Sequence, residues 1–217
     1  MRLSIENLKS EKTSWEQAGV TLPTFDVEAV NSATKENPTW VHFGAGNIFR
    51  GFIAKLQHDL LSSGKADTGI IAVDTFDYDI IDEIYTDYDN LTLLVLMKED
   101  GTLEKSIVAS VTEAIKGDSR DSTSMNRLKE IFCNPNFQMA SFTITEKGYA
   151  LTNINGEVFP VIQEDISNGP KDAKHAMSIV ASLVYERYLS TKAPIALVSM
   201  DNCSHNGEKL RASVLTI

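Results

Sequence analysis

The sequence predicts an α/β domain built on a doubly wound, mainly parallel sheet, with a β-hairpin insertion and an N-terminal extension. Three observations carry that expectation. From Trp40 onward a short apolar strand, a Gly-Ala-Gly turn, a helix and a second strand follow within about thirty-five residues, and parallel neighbours need such a crossover helix. Further short apolar runs at 139–145 and 195–200 alternate with helical patterns. Asp100-Gly101 separates two apolar runs, which is a hairpin signal.

Taken in order, residues 1–39 carry Pro23, Pro38 and weak periodicity, as expected of an extension that wraps a domain. WVHF at 40–43 reads as a buried strand. Residues 47–61 read as a helix with Ile48, Phe52, Leu56 and Leu60 on one face, and 69–74 as the next strand. Runs 90–97 and 105–112 flank the hairpin turn, and an antiparallel pair there makes the sheet mixed. Residues 125–132 read as a helix and 139–145 as a strand ending in a polar turn. Asn155-Gly156 reads as a second hairpin, and 171–191 as one long amphipathic helix stopped by Pro194. IALVSM at 195–200 is a strand, after which a final helix begins near 208.

Composition narrows the function classes. Twenty basic against thirty acidic side chains give a formal charge of −10, which opposes a nucleic-acid or anionic-membrane surface, because phosphate binding needs clustered Lys and Arg. Cys133 and Cys203 lie far apart and predict neither a disulfide framework nor a zinc cluster. No signal-peptide core opens the chain and no run reaches the ~18 apolar residues of a membrane helix, so a cytoplasmic location is expected.

The glycine turn is the leading chemical motif. Gly44 allows a sharp turn after the strand, and Gly46 lets a pyrophosphate approach the backbone at a helix start, where free amides and the helix dipole favour anions. Phe49 stands in place of the usual third small residue, and a plain strand-to-helix turn is the competing reading. Asp74, at the end of the next strand, is placed to accept hydrogen bonds from a cofactor ribose and to repel the extra phosphate of NADP. The competing reading is a solvated acid, in a stretch that also holds Asp77, Asp79, Asp82, Glu83, Asp87 and Asp89; for those six the solvated reading is preferred. Ile81 and the missing glycine reject a calcium loop, and Gly64-Lys65 lacks the rest of a P-loop. Cys203 and His205 on one short loop do not make a metal site, so no metal is expected, and Tyr188 with Lys192 matches a Tyr-x-x-x-Lys spacing only by chance at a helix end.

Three blocks together are more specific than any one of these. HFGAGNIFRGF at 42–52, TITEKGY at 143–149 and SMDNCSHNGEKLRASVL at 199–215, in this order, resemble the polyol-specific long-chain dehydrogenases. That family includes mannitol 2-dehydrogenase, mannitol-1-phosphate 5-dehydrogenase and the fructuronate and tagaturonate reductases. The resemblance implies a Rossmann-type NAD-binding domain over 40–217, with Gly44, Ala45, Gly46, Asn47, Ile48, Phe49 and Arg50 in the phosphate turn and Asp74 at the ribose, favouring NAD(H). It also implies that Asn202 polarises the substrate oxygen, whereas a turn or helix-cap role is the bland reading of the same residue. The family's catalytic lysine lies in a Lys-x4-Asn-x2-His pattern on a helix of a second domain. Lys129 and Asn134 share the first spacing, but Phe137 stands where the histidine belongs, so the helical catalytic domain is expected to be absent from this chain.

The implied reaction interconverts a secondary alcohol of a sugar alcohol or sugar acid with its ketone, mannitol with fructose or mannonate with fructuronate, with the fructuronate reductase branch preferred. This chain would be the cofactor-binding part and inactive alone. A non-catalytic NAD-binding sensor or assembly module is the alternative, which leaves the block around Asn202 without a purpose.

Overall fold

The computed structural model describes residues 2–217. Its centre is a five-stranded sheet of β2 (Trp40–Phe43), β3 (Ile70–Asp74), β6 (Val111–Lys116), β7 (Met139–Phe142) and β8 (Ala196–Ser199), all parallel and ordered β6-β3-β2-β7-β8. The chain works outward from β2 through β3 to β6, then returns to the other side of β2 for β7 and β8. The order therefore reverses between β2 and β7, and the loops after those two strands border the same crevice.

Both faces of the sheet are covered, which is why its strands read as continuous apolar runs rather than as polar alternation. In β3, Ile71 and Val73 face one cluster with Val41, Phe43, Ala140 and Phe142, beneath helices α5 (Ser122–Cys133) and α8 (Ala176–Ser190). Ile70 and Ala72 face the other, against Phe49, Ile53 and Ala54 at the start of the helix after β2. That helix opens with a π turn, Phe49–Ile53, and continues as α4 (Ala54–Ser62).

The stripe expected to bury is the wrong one. Ile48, Phe52, Leu56 and Leu60 are 69%, 62%, 51% and 43% exposed, whereas Phe49, Ile53, Ala54 and Leu61 lie inside. Two apolar stripes run side by side at helical spacing, and the buried one is the stripe that packs on Ile70 and Ala72 of β3.

The hairpin is present but does not make the main sheet mixed. β4 (Thr92–Met97) and β5 (Leu103–Val108) pair antiparallel in a separate three-stranded sheet, whose third member is β1 (Val20–Thr21), parallel to β5. The run expected as a single strand over 105–112 thus divides at Ala109-Ser110, serving one sheet as β5 and the other as β6. The N-terminal residues form α1 (Ile5–Ser10), α2 (Lys12–Gln17) and α3 (Val27–Glu36), and Leu8, Trp15 and Val20 share a small core with Leu91, Ile107 and Ala109.

Other boundaries also move. β7 stops at Phe142, and the TEKGY segment is itself helical, α6 (Thr145–Tyr149). Asn155-Gly156 makes a tight turn with a single bridge, Thr152 to Val158. The helix expected over 171–191 begins only at Ala176, because His175 caps it by accepting the Met177 amide. Before it lies α7 (Pro160–Asn168), which the sequence reading lacked, and α9 (Asn206–Thr216) ends the chain. Among the described residues no helix is long and apolar enough to cross a membrane.

Candidate functional site

The glycine turn is built by close backbone approach. Gly44 has φ of 101°, and a Cβ there would lie 2.2 Å from the Thr143 carbonyl oxygen, so the loops after β2 and β7 touch because residue 44 has no side chain. At Gly46 the opposite holds. A Cβ would meet nothing within 4 Å, so open space faces the backbone where a ligand can come close. The helix begins just after it, with the Arg50 amide donating to the Gly46 carbonyl, and its first amides have no carbonyl behind them to bond. This pairing of a packed first glycine and an open second one fits a pyrophosphate at the helix start.

Asp74 closes the turn from the side. Its Oδ1 accepts the Phe76 and Asp77 amides, both at 2.9 Å, and its Oδ2 accepts the Ala45 amide at 3.1 Å. A carboxylate oxygen accepts two hydrogen bonds, so Oδ2 retains capacity for a hydroxyl. Arg50 donates to the Asn47 side chain and lies 5.9 Å from the Tyr85 ring, whose hydroxyl donates to the Ala45 carbonyl at 2.8 Å. A recess of about 330 Å³ is lined by Gly46, Asn47 and Arg50 together with Asp77, Asp79 and Glu83. Asp82 instead pairs with Lys116, and Asp89 accepts the Ile5 amide.

His42 lies under the turn. Fully buried and stacked on Phe49 with ring centroids 4.3 Å apart, it has Nδ1 2.7 Å from Ser141 Oγ and Nε2 2.8 Å from Thr143 Oγ1. Trp40 Nε1 donates to Ser141 Oγ, and Thr143 Oγ1 donates to the Gly44 carbonyl. One donor direction satisfies the whole chain: Trp40 to Ser141, Ser141 to His42 Nδ1, His42 Nε2–H to Thr143, Thr143 to Gly44. The imidazole is neutral in this arrangement, and burial pushes its pKa down to about 3.

Across the crevice, Asp201, two residues beyond β8, accepts the Ile144 and Thr145 amides, each at 3.0 Å, and the Tyr149 hydroxyl at 2.5 Å. Burial raises the Tyr149 pKa, with the Asp201 hydrogen bond adding to it. Asn202 is exposed, and its side chain makes no hydrogen bond among the described residues. The turn role that competed for Asn202 falls to Asn206, whose Nδ2 donates to the Asp201 carbonyl at 2.9 Å.

Thus the structure gathers Gly44 through Arg50 with Asp74 around one turn and sets Asn202 on the loop after β8. Tyr188 is exposed and Lys192 has φ of 56° beyond the helix end, so the two do not share a helical face. Cys203 is a free thiol, His205 lies 3.4 Å from Glu208, and no group of three metal-ligating side chains forms among the described residues. His42 and Asp201 were missed as site residues. Ser141 and Thr143 at i and i+2 place two hydroxyls on one strand face, which was the available signal for His42; Asp201 offered none beyond its place in the third block.

A parallel sheet in this order, with a glycine turn after its first strand and an acid at the end of its second, defines a Rossmann-type domain. Residues 38–217 match the family model described as the mannitol dehydrogenase Rossmann domain, and the chain belongs to that family. Over 217 residues it is 51% identical to a D-mannonate oxidoreductase of Thermotoga maritima, covering 100% of this chain and 40% of that protein. It is 29% identical over 182 residues to a D-mannonate oxidoreductase of Escherichia coli, covering 81% of this chain and 36% of that relative. In fold it resembles Pseudomonas fluorescens mannitol 2-dehydrogenase, solved as a ternary complex with NAD and D-mannitol, with a TM-score of 0.80 at 24% identity over 99% of this chain and 42% of that one. The chain therefore spans about two fifths of the length of these relatives.

Proposed function

We propose that this chain is the NAD-binding part of an oxidoreductase that interconverts a secondary alcohol of an aldonate or polyol with the corresponding ketone. The observation that carries the reading is the Asp74 carboxylate hydrogen-bonded to Ala45 within the glycine turn, which puts a ribose acceptor beside an open phosphate cradle. The relatives named D-mannonate oxidoreductase support mannonate and fructuronate over mannitol and fructose as the substrate pair. The reading places the cofactor domain at 40–217, behind the extension at 1–39, in the cytoplasm.

Bound NAD would supply the hydride acceptor. The free amides at Gly46, Asn47 and Ile48 take the pyrophosphate, and Arg50, held by Asn47 and Tyr85, adds positive charge beside it. Asp74 Oδ2 accepts a ribose hydroxyl and repels a 2′-phosphate. Asn202 donates its amide to the substrate oxygen as negative charge develops there. The general base belongs to the part of the relatives' length that this chain does not span.

Fluorescence titration with NADH and NADPH tests the reading. Saturable binding that prefers NADH is expected, and Asp74→Ala should weaken NADH and narrow its advantage. Equal affinities for the two cofactors, unchanged in Asp74→Ala, would remove Asp74 from the ribose site.

A further inference from the structure

We propose that Asp201 is a positioning residue that locks the loop after β7, where the nicotinamide half of a dinucleotide would lie, to the loop after β8 that carries Asn202; this rests on the dinucleotide reading above. A single carboxylate makes the link. Oδ1 accepts the Thr145 amide, while Oδ2 accepts the Ile144 amide and the Tyr149 hydroxyl, and that hydroxyl also lies 2.8 Å from Ser199 Oγ.

The lock holds a strained residue. Thr145 has φ of 65°, a left-handed conformation that a β-branched residue adopts only when its surroundings impose it. Its amide is one of the two that Asp201 ties down. The preceding segment is fixed from the other side, since the Thr143 carbonyl occupies the space a Gly44 side chain would need and Thr143 Oγ1 donates to the Gly44 carbonyl. A continuous rigid path therefore runs from the glycine turn through Thr143 and Thr145 to Asp201, one bond from Asn202.

Asn202 is held on both flanks while its own amide stays free. The Met200 amide donates to the Phe142 carbonyl, extending the β7–β8 pairing to the residue before Asp201, and the Asp201 carbonyl accepts both the Cys203 amide and Asn206 Nδ2. Tyr149 is anchored in turn, 3% exposed, with its carbonyl accepting Ser213 Oγ of α9 at 2.6 Å. These loops lie at the carboxyl ends of β7 and β8, on the far side of the order reversal from Asp74. The adenosine half of a dinucleotide meets Asp74 and the glycine turn, so the nicotinamide half falls against the segment that Asp201 braces.

The test compares NADH with ADP-ribose, which lacks the nicotinamide, on the wild-type chain, Asp201→Asn and Tyr149→Phe. In Asp201→Asn the amide replaces one acceptor oxygen with a donor, so hydrogen exchange at Ile144 and Thr145 should accelerate. NADH should weaken about tenfold, roughly 1.4 kcal/mol, while ADP-ribose changes less than twofold. Tyr149→Phe retains the ring in the core and both amide bonds, and should narrow the NADH preference in the same direction by a smaller factor; it decides the matter if Asp201→Asn does not fold. A merely structural role would lower the melting temperature and weaken both ligands equally or neither, and that result overturns the proposal. Should the wild-type chain bind neither ligand, the dinucleotide reading fails first and takes this one with it.

Discussion

Acidification should destabilise this domain through His42, and the structure sets the size of the effect. The imidazole is 0% exposed, sits in a one-directional hydrogen-bond chain that needs it neutral, and has a pKa lowered by burial from 6.5 to about 3. In the unfolded chain the same group titrates near 6.5. Because the folded value is the lower one, the unfolded state binds the extra proton between about pH 3 and 6.5. The contribution is therefore complete above the unfolded value and is lost as pH falls through that window, at up to ~1.4 kcal/mol per pH unit. Between pH 7.5 and 5.0 this amounts to about 2 kcal/mol. Urea unfolding of the wild type and His42→Gln at both pH values isolates it, since His58, His175 and the carboxylates contribute to both proteins and cancel. The variant should be less stable at pH 7.5, yet lose about 2 kcal/mol less on acidification. Parallel losses in the two proteins would refute the argument that a buried neutral histidine underlies the turn.

The two glycines should separate structure from function. Gly44→Ala forces a Cβ onto the Thr143 carbonyl at a positive φ and should cost at least about 2 kcal/mol in urea unfolding, whereas Gly46→Ala, which meets nothing, should leave stability within about 0.5 kcal/mol and abolish NADH binding. Arg187 is 1% exposed and spends all five of its donors on the carbonyls of Phe132, Asn134, Phe137, Ala193 and Pro194. Arg187→Met strands those acceptors and should cost about 4 kcal/mol by denaturant titration; a loss under about 1 kcal/mol would mean that water replaces the guanidinium. Asn202→Ala removes a side chain without partners, so NADH affinity and melting temperature should both stay at the wild-type value; a loss of NADH binding would make its role structural.

Local pattern was enough to place the central strands, the glycine turn, Asp74 and the helices flanking the sheet, because a strand buried on both faces, a turn that needs glycine and an acid at a strand end each leave a mark within a few residues. The hairpin was legible for the same reason, as Asp100-Gly101 sits in a tight turn with Gly101 at φ of 82°. Which sheet that hairpin joins was not legible, since only Ala109 and Ser110 lie between β5 and β6 with no turn residue to part them, and the division appears only where β5 pairs with β1 and β4 while β6 pairs with β3. Nor could periodicity choose between the stripes of the helix after β2, because Phe49 with Ile53 and Ile48 with Phe52 have the same spacing. The chemistry of the crevice divides likewise. Residue type and order alone singled out Gly44 to Arg50 and Asn202 as candidates. The support beneath them joins residues about a hundred positions apart in His42 with Ser141, and more than fifty apart in Asp201 with Ile144. Long-range contacts of that kind leave no local signature, because they form only when the parallel sheet brings β2 beside β7 and β7 beside β8.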